Sequence, residues 1–402
     1  MESILSVPGN YSGREHAWIK HQLLKGYLER LLMIIGVGGG RKIGELEICY
    51  VDCFAGPWGD TSENLEGTSI AVSLQTMESC RKVLQRLGVT VHMRALFIER
   101  DAAAFERLDA YLQQSCPEGV KATCLEGDFV SLIPEILKWC GRRAFVFFFI
   151  DPTGWKTVGV TTLKPLLDRP GSEFLINFMY GFINRTASIS LLQTEIAAFL
   201  GCDVGDVQSV DSMAPDEREA HLVHLYREGL KRNLALFDQN YHARTAHVRV
   251  LDPSKNRSKY HLIYLTTHPK GIVVFMETSE KLDMVQRSVR ATLQYARKEQ
   301  QSGTADLFGA EGYAPDTHQV SPVDVDAFWL QYLHEKPTRV DEKVMADLME
   351  STDWMPGDYQ ASLVRLIAEG HVRNLDALKP RRSKPLHYEK DGERLVLLPL
   401  PA

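Results

Sequence analysis

Apolar and polar positions follow two rhythms along this chain. Near the N-terminus, Ile19, Leu23, Leu24, Tyr27, Leu28, Leu31 and Leu32 recur at helical spacing. They predict an amphipathic helix over residues 14–35, ended by the glycine-rich "GVGGGRKIG". Apolar runs of strand length follow at 46–54, 92–98, 121–125, 144–150 and 174–178, separated by helix-patterned segments at 69–87, 102–114, 129–140 and 160–167. Strands alternating with helices predict a mostly parallel, doubly wound α/β sheet. The run "FVFFFI" before Asp151 is apolar throughout, as a central strand covered on both faces requires.

Residues 184–236 read as helical, an insertion or cap after the fifth strand. Two further strand candidates, 243–251 and 259–265, flank the turn-like "DPSKNRS" and should pair antiparallel. Five parallel strands closed by an antiparallel pair match the Rossmann-like sheet of class I methyltransferases better than a dehydrogenase sheet. The expected organisation is an α/β domain over 1–301, a turn-rich linker over 302–322 and a small winged-helix-like domain over 323–402. In that last domain Thr338 is placed to cap the second helix and Pro356 to open the third. Asp391-Gly392 should turn a hairpin within "LHYEKDGERLVLL".

Composition narrows the classes. The net charge of -6 excludes a uniformly basic nucleic-acid binder, so any such contact must come from local patches. Seven cysteines, none in a CxxC pair, read as buried free thiols in a reducing compartment. No secretory leader or membrane-length apolar run is visible, so a cytoplasmic protein without a membrane partner is expected. His221 and His224 have no third ligand near in sequence, and no metal is expected.

The candidate chemistry gathers at strand ends. Asp52 closes the first strand and runs into Phe54, Ala55, Gly56 and Pro57, a loop whose backbone a nucleotide-like cofactor can approach. The segment from Trp58 to Gly67 reads as an inserted lid or substrate-facing loop. Glu99 ends the second strand, where an acid accepts from ribose hydroxyls or merely opens the next helix. Asp128, after the third strand and before Phe129, suits an adenine amino group or a plain helix cap. At the fourth strand's end Asp151 and Pro152 form a stiff loop beside the expected methyl donor. Trp155 there either stacks on a flipped base or packs over the sheet edge. Asn177, ending the fifth strand, lines the same pocket or satisfies loop backbone. Arg381, Arg382 and Lys384 form a basic run beside the expected wing, a candidate phosphate contact.

Taken together, "REHAWIKHQLLKGYL", "YVDCFAGPW", "GTSIAVSL", "FIERD", "FFFIDPTGW", "EFLINFMYGFINR" and "KYHLIYLTTHPKGIVVFMETSEKL" resemble the bacterial three-Cys-motif partner protein family over about residues 14–300. The resemblance implies a class I methyltransferase-like fold that uses S-adenosylmethionine, in a family linked to mobile or defence-type loci, with a possible protein partner encoded nearby. Amine-directed methyltransferases carry an (Asp/Asn)-Pro-Pro-aromatic loop where this chain has Asp151-Pro152-Thr153-Gly154. The expected activity is methyl transfer to nucleic acid, DNA or RNA, with Asp52 and Gly56 at the methionine end, Glu99 at the ribose, Asp128 at the adenine and Asp151 at the acceptor. The alternative is a non-catalytic scaffold that binds nucleic acid or a partner.

Overall fold

The structure is a computed structural model describing residues 7–8, 11, 15–43, 45–56, 65, 67–152, 154–236, 240–252, 255, 257–302, 320–379 and 381–399. Two compact units are distinguished, Met1–Thr267 and His268–Ala402. The boundary therefore falls before the last long helix, which belongs with the C-terminal unit, and not after it at residue 301. Most of the expected linker lies outside the described residues.

The N-terminal unit runs α1 (Glu15–Ile43), β1 (Glu45–Asp52), α2 (Ser69–Arg86), β2 (Thr90–Glu99), α3 (Ala102–Ser115), β3 (Val120–Glu126), α4 (Phe129–Cys140), β4 (Phe145–Ile150), α5 (Val160–Leu167) and β5 (Ser172–Phe178). The expected helical insertion follows as α6 (Tyr180–Ala187), α7 (Gln193–Leu200), α8 (Val204–Gln208) and α9 (Pro215–Asn233). Then come β6 (Arg244–Leu251) and β7 (Ser258–Thr266). The sheet order is β3-β2-β1-β4-β5-β7-β6. Strands β1 to β5 are parallel, and β7 is antiparallel to both its neighbours. This is the class I methyltransferase, Rossmann-like arrangement that the apolar pattern predicts. The order reverses between β1 and β4, and a crevice opens at the carboxyl ends of strands where such a reversal occurs.

Side-chain alternation explains why both sheet faces are covered. Cys49 and Val51 of β1 join Phe148 and Ile150 of β4 in an apolar cluster with α4, α5, α7 and α9. Tyr50 and Asp52 point the other way, toward Phe147, α1 and α2. Glu173 of β5 anchors α1 on that face. It is buried, and it accepts from Tyr27 of α1 at 3.1 Å and from Tyr264 and Thr266 of β7 at 2.7 Å each. Burial raises its pKa, against the pull of those three hydroxyls. Helix α1 also continues to Ile43, through the glycines expected to stop it. A Cβ at Gly36 would lie 2.5 Å from Leu84 of α2, so close helix packing needs a glycine there and overrides its weak helix propensity.

The C-terminal unit holds α10 (Pro269–Ser302), α11 (Pro322–Tyr332), β8 (Thr338–Val340), α12 (Glu342–Thr352), α13 (Pro356–Ala368), β9 (Val372–Asn374) and β10 (Glu393–Leu397), with antiparallel sheet order β8-β10-β9. Pro356 opens α13 as expected. Two local expectations change. Asp341, accepting from Val344 N–H at 2.9 Å, caps α12, because Thr338 is drawn into β8. The strands paired with β10 are β8 and β9, and the nearer in sequence is Val372–Asn374, so Asp391-Gly392 does not join two adjacent strands.

Candidate functional site

The chain leaving β1 is tied to both flanking strands. Cys53 N–H bonds the Phe149 carbonyl of β4 at 3.0 Å, and Ala55 N–H bonds the Ile98 carbonyl of β2 at 2.8 Å. The loop thus bridges the crevice where the sheet order reverses. Asp52 shapes it from below. Fully buried, it accepts from Ser69 Oγ at 2.6 Å, Phe54 N–H at 3.2 Å and Tyr50 Oη at 3.4 Å. Burial pushes its pKa up to about 6, with the Ser69 and Phe54 bonds pulling the other way. Asp52 and Ala55 are not among the residues lining the two cavities described next, and Asp52 supports the loop. Pro57 lies outside the described residues, as does most of the expected lid.

The first cavity, of about 470 Å³, gathers Phe54, Glu99, Gly127, Asp128, Phe129 and Trp155. Glu99 is 3% exposed; one oxygen accepts Asp101 N–H at 2.7 Å, and no donor among the described residues reaches the other. Asp128 caps α4 through Oδ1, accepting from Val130 N–H at 3.0 Å and Ser131 N–H at 3.3 Å. Its Oδ2 has no partner among the described residues, so capping and cavity lining coexist. Gly127 adopts φ +145°, a conformation that favours glycine, and its N–H bonds the Glu99 carbonyl at 2.9 Å. The Phe54 and Phe129 rings lie 5.1 Å apart. Trp155 is buried, edge-on to Phe199 at 5.3 Å and stacked with Phe182 at 6.2 Å. It therefore packs over the sheet edge, where it lines the first cavity and not Asp151's.

The second cavity, of about 270 Å³, adjoins the first through Phe54 and Pro152. Gly56, Ser69, Asp151 and Asn177 line it, together with His16, Lys20 and His21 of α1 and Lys259 and Tyr260 of β7. Asp151 has one partner on each oxygen: Oδ1 accepts from Asn177 Nδ2 at 2.7 Å, and Oδ2 pairs with the Lys20 ammonium. Tyr260 Oη donates to the His16 carbonyl at 3.0 Å, holding α1 over the cavity. Burial, reinforced by Lys259 and Lys20, lowers the His16 pKa to about 4. Burial also lowers that of Lys259. The residues from α1 and β7 were not anticipated. Their signal was present: positions 16, 17, 20 and 21 fall on one helical face, and all four line the cavity.

In the C-terminal unit the basic run divides. Arg381 is bidentate to Glu393, with bonds of 2.8 and 2.7 Å. Glu393 also accepts from His387 N–H at 2.7 Å and Asn374 Nδ2 at 2.8 Å. Burial opposes its ionisation, but these bonds outweigh it and hold the carboxyl at about 2. Arg381 is thus a brace within the unit and not an open phosphate contact. Arg382 and Lys384 are exposed and line a groove of about 560 Å³ with Glu277, Glu280 and Lys281.

No protein-family model matches the chain, and no curated protein matches its sequence. Among solved structures it is similar to an O-methyltransferase from Bacillus cereus in complex with SAH, at 10% identity and TM-score 0.29, covering 61% of this chain and 80% of that one. It is also similar to the O-methyltransferase TomG from Streptomyces achromogenes in complex with SAM, at 12% identity and TM-score 0.32, covering 66% and 92%. Protein LPL1258 from Legionella pneumophila is similar at 11% identity and TM-score 0.36, covering 68% and 91%. With TM-scores this low, the fold assignment rests on the strand order itself.

Proposed function

We propose that the N-terminal unit is an S-adenosylmethionine-dependent methyltransferase acting on nucleic acid, with a base amino group as acceptor. One juxtaposition supports this reading. Glu99 and Asp128, at consecutive strand ends, share a cleft that adjoins a polar cavity across Phe54 and Pro152. The residues present suit the cofactor: Glu99 has an oxygen for a ribose, Asp128 an oxygen for an adenine amino group, and Phe54 and Phe129 offer apolar faces to the base. Gly56 and the start of α2 at Ser69 leave backbone open toward the methionine end.

When bound, S-adenosylmethionine supplies a methyl group already activated by its sulfonium, so the work left to the protein is alignment and exclusion of water. The chain provides alignment through the bridged β1 loop and through α1, clamped by Glu173 and Tyr260. The nucleic-acid part of the reading draws on Lys259 at the second cavity and on exposed Arg382 and Lys384. We read the C-terminal unit as a winged helix presenting those last two cations to phosphate. We also read the chain as a three-Cys-motif partner protein, which accommodates a protein partner encoded nearby.

Transfer of labelled methyl from S-adenosylmethionine across DNA, RNA and protein substrates tests the activity, and calorimetry with the pure protein tests the cofactor. Absence of S-adenosylmethionine binding removes the whole proposal. Transfer to protein alone removes its nucleic-acid part.

A further inference from the structure

The acid at the end of β4 already has one protein partner on each of its oxygens. Asp151 Oδ1 is taken by Asn177 and Oδ2 by Lys20. Asn177 is in the opposite condition. It is 4% exposed and lines the second cavity. Its Nδ2 is committed to Asp151, which sets the orientation of the amide, because a carboxylate only accepts. Its Oδ1 is buried and has no hydrogen-bond partner among the described residues. A buried carbonyl left without a donor is costly, and a ligand N–H that reaches it removes that cost.

Resting on the methyltransferase reading above, we propose that Asn177, not Asp151, receives the N–H of the acceptor's amino group, with Lys20 and Asp151 as positioning residues behind it. An amide oxygen only accepts, so it suits the N–H donors of an amino group. An amino nitrogen needs no prior deprotonation. Its lone pair forms the bond to the methyl carbon while the carbon–sulfur bond breaks toward sulfur. The positive charge passes from sulfur to nitrogen, so the site gains no net charge, and one N–H proton passes to water once the methylated product leaves the cavity. Asn177 Oδ1, accepting from that N–H, orients the lone pair and stabilises the charge that develops on nitrogen.

The test uses the full chain, S-adenosylmethionine and homopolymeric DNA strands of adenine, cytosine, guanine or thymine, the last lacking an exocyclic amine. Wild type should methylate an amine-bearing strand and not the thymine strand, and should bind the former more tightly in the absence of S-adenosylmethionine. Asn177→Ala and Asn177→Ser should each lower kcat by about 10- to 100-fold, the size expected for losing one buried hydrogen bond. Both should bind S-adenosylmethionine within about 2-fold of wild type and lose the binding preference over thymine. Lys20→Met should give a smaller loss of kcat, which Lys20→Arg restores. Variants that keep kcat and the strand preference overturn the inference and leave the methyltransferase reading standing. So does a large loss of S-adenosylmethionine affinity in both Asn177 variants, which would assign the residue to the cofactor. Wild type that binds S-adenosylmethionine but methylates no strand overturns the nucleic-acid acceptor, and the inference with it. Wild type that does not bind S-adenosylmethionine overturns the underlying reading instead.

Discussion

The two cavities of the N-terminal unit are built from the same kinds of side chain and hold them in different states. On the β2–β3 side, Glu99 and Asp128 each engage one oxygen with backbone N–H groups, and the other has no partner among the described residues. On the β4–β5 side, Asp151 spends both on the protein, and the atom left over belongs to its neighbour Asn177. Carboxylates at successive strand ends thus differ in how many of their oxygens already have a protein partner. The C-terminal unit repeats the lesson with the opposite sign: Arg381 is consumed by Glu393, while Arg382 next to it is exposed.

The comparison can be broken most sharply at Asp151. Asp151→Ala frees Lys20 and Asn177 together, and methyl transfer should fall by about 10²- to 10³-fold with S-adenosylmethionine affinity kept, as calorimetry beside a labelled-methyl assay will read. Glu99→Ala should do the reverse, weakening S-adenosylmethionine binding by about 10- to 100-fold while leaving the choice of acceptor strand unchanged. Equal loss of cofactor binding in both variants would erase the distinction between the cavities.

Asp52 sharpens the contrast through stability. Its carboxyl is raised from 3.8 to about 6 in the folded chain, so folding disfavours the ionised form. Below the unfolded pKa both states are protonated and nothing is lost; the penalty grows as pH rises from about 4 to 6 and is full above that. Asp52→Asn, able to keep the bonds to Phe54 and Ser69, should raise unfolding free energy at pH 8 by about 1–3 kcal/mol, a gain that vanishes below about pH 4 in denaturant titrations. A pH-independent gain would show that packing, not ionisation, governs the site.

The smallest effects belong to the basic run. Arg382→Ala with Lys384→Ala should weaken duplex DNA binding by up to about 10-fold at low salt and flatten its salt dependence. Arg381→Ala should leave that slope unchanged and instead lower the stability of the C-terminal unit by about 1–3 kcal/mol.

Much of this architecture was legible because it is local. A period of two or an unbroken apolar run marks each strand of the large sheet, and Glu99 and Asp128 lie directly where those runs stop. The second cavity was harder to see because its charges come from far apart: Lys20 meets Asp151 across 131 residues. No sequence spacing announces that pairing, although His16, Ala17, Lys20 and His21 share a helical face. In the C-terminal unit the misses have short-range causes. "VRN" at 372–374 is too brief to stand out as a strand, and the pairing of β8 removed Thr338 from its expected cap. Glycines 36, 38, 39 and 40 read as a helix stop because propensity is a local quantity, whereas Leu84, which rewards the absence of a side chain at Gly36, is distant in sequence.

Phe54 and Pro152, the residues common to both cavities among the described ones, carry a further consequence. Neither side chain has a polar atom, and Pro152 lacks even a backbone N–H. A ligand spanning both cavities, as the proposed methyl donor would, meets there two side chains that offer water no hydrogen bond. On that proposal, the fidelity of transfer becomes a matter of dryness as well as alignment.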